Sequence, residues 1–108
     1  WKGEADWDAI VLLYAALSEL TGSPVARLNA AAAIARRDGP ECGLAVADDL
    51  AALNPALNEY QPYWALRADL CARLGRNEAA RVAYDEAIER ADDRALVAFL
   101  QQRRDALV

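Results

Sequence analysis

Apolar residues recur along this chain at helical spacing, and turn residues interrupt them at regular intervals. Trp7, Ile10, Val11, Tyr14 and Leu17 form one stripe, the pattern of a helix with one buried face. Asp6 is placed to cap that helix, which is expected to run to about Leu20 before Thr21-Gly22 ends it. Ser23-Pro24 opens a second helix in the favoured order, cap and then proline in the first turn, reaching about Arg37. Its run Ala30 to Ala33 with Ile34 is nearly all small, so a neighbour must pack close. Asp38-Gly39-Pro40 reads as a turn. A third helix follows from Pro40 to about Ala52, with Gly43 and Ala47 repeating the small contact. Leu53 to Glu59 is the longest expected connection, and Asn54-Pro55 marks a turn within it. A fourth helix carries Trp64, Ala68, Cys71 and Leu74. Gly75 stops it, because a left-handed position after a helix suits a residue without Cβ. Asn77 is expected to cap a fifth helix, carrying Ala79, Ala80, Ala83, Tyr84, Ala87 and Ile88. Asp92 or Asp93 caps a sixth, with Leu96, Val97, Phe99, Leu100 and Leu107 on one side and Gln101, Gln102, Arg103, Arg104 and Asp105 on the other. Trp1 to Ala5 reads as a tail or the end of a linker, and residues 6–108 as one domain.

No window alternates β-branched and polar residues as strands require, so the expected fold class is all-α. The stretch Tyr60 to Ala91 resembles a tetratricopeptide hairpin, whose pattern places Trp, a small residue and Tyr on one helix and A-x3-F on the next. Trp64 holds the first place, Ala68 the small one, and Ala80-x3-Tyr84 matches the second helix. Arg67 and Cys71 replace the Leu and Tyr of the pattern, and Asp92 stands where Pro is usual. Trp7 to Tyr14 is similar to the opening of another such helix. Gly39 and Gly75, the turns of the second–third and fourth–fifth pairs, are 36 residues apart, near the repeat of about 34. The resemblance implies about six antiparallel helices in three stacked hairpins, wound as a tetratricopeptide-like right-handed superhelix. A last helix with one wet face serves such a stack as a lid.

Composition sharpens this picture. The chain has 108 residues, one domain's worth, and is 56% hydrophobic. Much of that is alanine, and aromatics are only 7%. The core is therefore expected to be thin, anchored by Trp7, Tyr14, Trp64, Tyr84 and Phe99. Net charge is -5, with nine acids and four bases in residues 1–60 and eight of each in residues 61–108. An acidic to neutral surface argues against gripping a phosphate backbone. There is no histidine, which removes the commonest general base and metal ligand. Cys42 and Cys71 lack any zinc-type spacing and read as small buried hydrophobes. No apolar run approaches the roughly 18 residues of a membrane span, and no signal peptide is expected. A cytoplasmic location is expected, and no cofactor. The start at Trp1 and the lack of methionine fit a segment of a longer polypeptide.

No catalytic constellation stands out. Asp48-Asp49 and Asp85-Glu86 are neighbours in sequence, and adjacent helical residues point apart, so they read as solvated charges. Ser18 and Ser23 have no histidine to activate them. Arg67 is the most informative polar residue. It lies on the stripe of the fourth helix that faces a neighbour, so it should be paired with a carboxylate, its stem on Trp64, because an unpaired buried charge is costly. A ligand-facing role is the alternative. Asn29, in the small-residue stretch of the second helix, is either a groove hydrogen-bonder or a partner for nearby backbone. Gln61, Asp69, Arg73 and Arg36 are further groove or rim candidates.

The segments SPVARLNAAAAIARRDGP, GLAVADDL, YQPYWALRADLCARLGR, EAARVAYDEAI and AFLQQRRDAL together resemble the C-terminal tetratricopeptide-like extension of a bacterial extracytoplasmic-function RNA polymerase sigma factor. The resemblance covers about residues 6–107, and its most specific part is Tyr60 to Arg76. Ala30 stands where that group often has Arg, and Gln61 and Trp64 where it often has His. The promoter-reading and polymerase-binding segments of the sigma core have no counterpart here. The resemblance implies a regulatory domain that contacts the sigma core of its own chain or RNA polymerase, without touching DNA, in place of a separate anti-sigma partner. Docking would use a helical-repeat groove, with Asn29, Arg67 and Asp69 foremost. A free-standing tetratricopeptide adaptor that binds a peptide tail is the alternative. Pairing of two copies, through the apolar excess of the fourth helix or the ends of the stack, is compatible with either. An enzyme fits least.

Overall fold

The structure is a computed structural model and describes residues 6–107. The tail Trp1 to Ala5 and the last residue of the expected domain lie outside the described residues. Six α-helices follow one another: α1 Trp7–Thr21, α2 Pro24–Asp38, α3 Pro40–Leu53, α4 Gln61–Arg73, α5 Asn77–Arg90 and α6 Arg94–Asp105. There is no strand among the described residues.

Local chemistry accounts for the boundaries. Asp6 accepts the Ala9 N–H at 3.1 Å and caps α1. Asp93 accepts from Ala95 at 2.7 Å and caps α6. Pro24 and Pro40 occupy first-turn positions, where their missing N–H has no partner to lose. Gly75 is left-handed, with φ 74°. Its N–H bonds to the Ala72 carbonyl, while the Arg76 N–H reaches the Cys71 carbonyl at 2.9 Å. This paired closure satisfies carbonyls that the end of α4 would leave open. The closure brings the chain back into helix at once, so Arg76 takes the cap position of α5 and Asn77 is its first helical residue. Asn77 was expected to be the cap. The expected long connection is also ordered, as a 3-10 helix over Pro55–Glu59 that buries Leu57.

Each helix packs on its neighbours in the chain: α1 on α2, α2 on α3, α3 on α4, α4 on α5 and α5 on α6. The contacts are made by small residues. Ala31, Ala47, Ala68, Ala80 and Ala87 are all 0% exposed. Gly43 is the extreme case. A methyl group there would lie 2.8 Å from the Ala31 carbonyl oxygen and would collide with Ala35. Two apolar clusters result. One gathers Leu44, Leu70, Cys71, Tyr84 and Leu100, and the other Leu28, Leu50, Leu57 and Tyr63. Trp64 and Leu66 pack against both.

The expected anchors divide. Tyr84 is buried, and Trp7, Tyr14 and Trp64 are half-buried. Phe99 is 55% exposed, which corrects its assignment to the core. It lies on the last helix, with no further layer over it, and Leu100 fills the core place instead. Cys42 is exposed, against expectation, and Cys71 is buried. The expected inner stripe of α1 faces α2, except that Leu17 is largely open, and Leu12, Leu13 and Leu20 form a second apolar side facing outward.

Gly43→Ala should destabilise the chain by about 1–3 kcal/mol through overpacking, more than the roughly 1 kcal/mol of helix propensity it gains. Thermal unfolding followed by circular dichroism checks this. An unchanged midpoint would mean that the α2–α3 approach is not limiting.

Candidate functional site

A cluster of polar side chains joins α3 to α4. Asp48 is half-buried on α3. Its Oδ1 accepts from the Tyr63 hydroxyl at 3.1 Å and lies 3.2 Å from Arg67 Nε, and its Oδ2 accepts from Arg67 Nη2 at 3.3 Å. Arg67 Nη1 also donates to the Cys71 sulfur at 3.3 Å. Tyr63, Arg67 and Cys71 sit on successive turns of α4, so one face of that helix presents all three groups to α3. Burial and then the Asp48 carboxylate push the Tyr63 hydroxyl above its ordinary value. Burial opposes the charge on Arg67, yet Asp48 and the neighbouring Cys71 hold its pKa above the usual value. Burial raises the Cys71 thiol, partly offset by Arg67. A thiol kept protonated is a poor nucleophile. The Arg67–Asp48 contact is the carboxylate pairing expected for Arg67, and it tethers α4 to α3. Asp48 was expected to be a free, solvated charge like Asp49, and the structure corrects that. It lies one turn beyond Leu44 on the buried side of α3, while Asp49 points outward.

Beside the tether, Trp64, Arg67, Glu78, Ala79, Val82 and Ala83 line an open cleft of 380 Å³. Its indole is fixed on two sides. Trp64 Nε1 donates to the Asn58 carbonyl at 2.8 Å, and the Arg90 guanidinium lies 5.5 Å from the ring centre. Arg90 is itself held by Glu86 and Glu59. Neither Arg90 nor Asp48 stood out as a site residue in the sequence, although Glu86 and Arg90 have the spacing of a helical ion pair.

The other candidates fall elsewhere. Asn29 and Arg36 line a 330 Å³ cleft with Trp7, Ile10 and Tyr14, and the Arg36 guanidinium stacks 5.4 Å from the Trp7 ring centre. Asp69 pairs with Arg73 at 3.0 Å and with Arg103 of α6 at 3.5 Å. It lines a third cleft of 290 Å³ with Tyr84, Phe99 and Leu100. Gln61 starts α4, and its amide nitrogen is buried without a hydrogen-bond partner. The six residues thus do not converge on one pocket. Arg36 and Arg73 do occupy matching ends of α2 and α4, each in the last turn of its helix. No cluster of metal-ligating side chains occurs among the described residues. No helix among them is long and apolar enough to cross a membrane.

No protein-family model matches the chain, and no solved structure matches it. An uncharacterized protein of Rhizobium meliloti (strain 1021) is 40% identical to it over 104 residues, 96% of this chain and 24% of the relative. The chain therefore spans about a quarter of the length of the curated relative it matches.

Two measurements check the tether. Asp48→Ala and Arg67→Ala should each cost about 1–3 kcal/mol, because each leaves a partly buried group unpaired. The double variant should cost clearly less than their sum, and additive costs would remove the tether. Tyr63 supplies a pH test. Its folded value lies above the unfolded 10.0, so the folded chain holds that proton more tightly. This contribution is complete below pH 10.0 and is lost as pH rises through the folded value. Alkaline melting of Tyr63→Phe should show a shallower loss of stability than the parent, and identical slopes would contradict the assignment.

Proposed function

We propose that this chain is the C-terminal regulatory protein-interaction domain of an extracytoplasmic-function sigma factor. Its hairpins stack as a tetratricopeptide-like right-handed superhelix. It docks on the sigma core of its own polypeptide or on RNA polymerase, tunes transcription initiation in the cytoplasm, and makes no contact with DNA itself. The observation that carries this reading is the near full-length resemblance centred on YQPYWALRADLCARLGR. The paired packing of α2 on α3 and of α4 on α5 supports a repeat. So does the recurrence of buried small residues, with Ala31 answered by Ala68 37 residues on and Ala47 by Ala83 36 residues on. A relative about four times longer favours a domain of a larger protein over a free-standing adaptor.

Contact with the partner falls to the exposed ends of the repeats, Arg36 and Arg73, with Asn29 and Asp69 beside them. Arg67 is committed to Asp48 and acts by holding α3 and α4 in register. Titration calorimetry of the 108-residue chain against the rest of its polypeptide, at physiological salt, tests the reading. Micromolar or tighter binding is expected. Arg36→Ala with Arg73→Ala should weaken it by about tenfold, or ~1.4 kcal/mol. Absence of binding both to that portion and to core RNA polymerase would sink the proposal.

A further inference from the structure

The two ends of the helix stack differ in kind. At one end, α6 turns a largely polar side outward through Gln101, Gln102 and Arg103, with Phe99 its one exposed large apolar residue. At the other, α1 turns out leucines: Leu12 is 70% exposed, Leu13 58%, Leu17 38% and Leu20 83%. With Ala9 and Ala16 they make a continuous apolar stripe on the side of α1 away from α2. The inner side, with Trp7, Ile10, Val11 and Tyr14, is apolar as well. A helix apolar all round is one buried on both sides, and an end that stays in water needs a polar outer face. The four leucines leave on the order of 400 Å² of apolar surface open, the size at which a patch marks an interaction site.

Charge says what covers it. The only charged side chains of α1 and its cap are acidic: Asp6, Asp8 and Glu19. Among the described residues, the bases that reach α1 belong to α2, and each already makes a contact. Arg27 donates to the Ser18 hydroxyl, Arg36 lies over Trp7, and Arg37 pairs with Asp8 and Asp38. Among the described residues, Glu19 has no ion-pair partner. A second copy laid antiparallel on this stripe would set Asp8 and Glu19 against the same acids. A helix with lysine or arginine beside its own apolar stripe would pair with Glu19, while Asp8 keeps Arg37. We infer that the outer side of α1 is a docking surface for an amphipathic helix of a protein partner, apolar on one face and basic along its flanks. This surface goes beyond the proposed sigma-factor role and stands without it, because it uses none of Asn29, Arg36, Asp69 or Arg73.

The probes are two labelled synthetic helices of about 18 residues, long enough to hold helix. They share a leucine stripe and differ in carrying lysine or glutamate along its flanks. Fluorescence anisotropy against the 108-residue chain should show saturable binding of the lysine peptide, with the glutamate twin at least about tenfold weaker. Leu13→Gln with Leu20→Gln, both at exposed positions, should abolish binding while leaving the helical circular dichroism intact. Equal binding of the two peptides by the parent chain would overturn the inference without any variant. So would the absence of binding, or its survival in the double variant. Sedimentation showing a dimer that the double variant dissolves would assign the stripe to a second copy and overturn it too.

Discussion

The backbones of α2 and α3 meet where Gly43 faces Ala31 and Ala35, with no room for one more methyl group. Most of the architecture follows from that constraint. Helices this close must carry small residues along the whole seam, and Ala47, Ala68, Ala80 and Ala87 extend the rule through the stack. Alanine removes little area from water, and the hydrophobic term scales with area. The seams therefore depend on shape and close contact, and larger side chains such as Leu28, Leu70, Tyr84 and Leu100 close the edges.

A smooth seam leaves one helix free to slide along another. The tether formed by Asp48, Tyr63 and Arg67 restricts that freedom between α3 and α4, because two donors from α4 must meet one carboxylate. The most conspicuous arginine in the sequence is thus drawn inward as a positioning group. At the ends of α2 and α4, Arg36 stacks on Trp7 and Arg73 pairs with Asp69.

Much of this was legible in the sequence. Proline at the start of α2 and α3, aspartate at the caps of α1 and α6, and glycine after α4 act through local geometry, so their positions alone place the helix ends. The misreadings share one cause, which is that distant contacts decide them. Asp48 looked like one of two solvated acids until the register of α3 put it across from Arg67. Phe99 looked like an anchor because its apolarity says nothing about whether a further layer covers α6. Asn77 looked like a cap because the tight closure through Gly75 and Arg76 depends on how α5 returns onto α4. The six candidate site residues were individually reasonable, but the spread of four of them over three clefts, with Gln61 and Arg73 in none, is a property of packing.

Trp64 is shared by both apolar clusters, hydrogen-bonded to the 3-10 segment and flanked by the Arg90 guanidinium. The indole is thus packing that both halves of the stack share, and α2, α3 and α4 join them as well, each placing residues in both clusters. The two clusters are therefore parts of one core, and packing lost in either half is felt in the other through these shared elements.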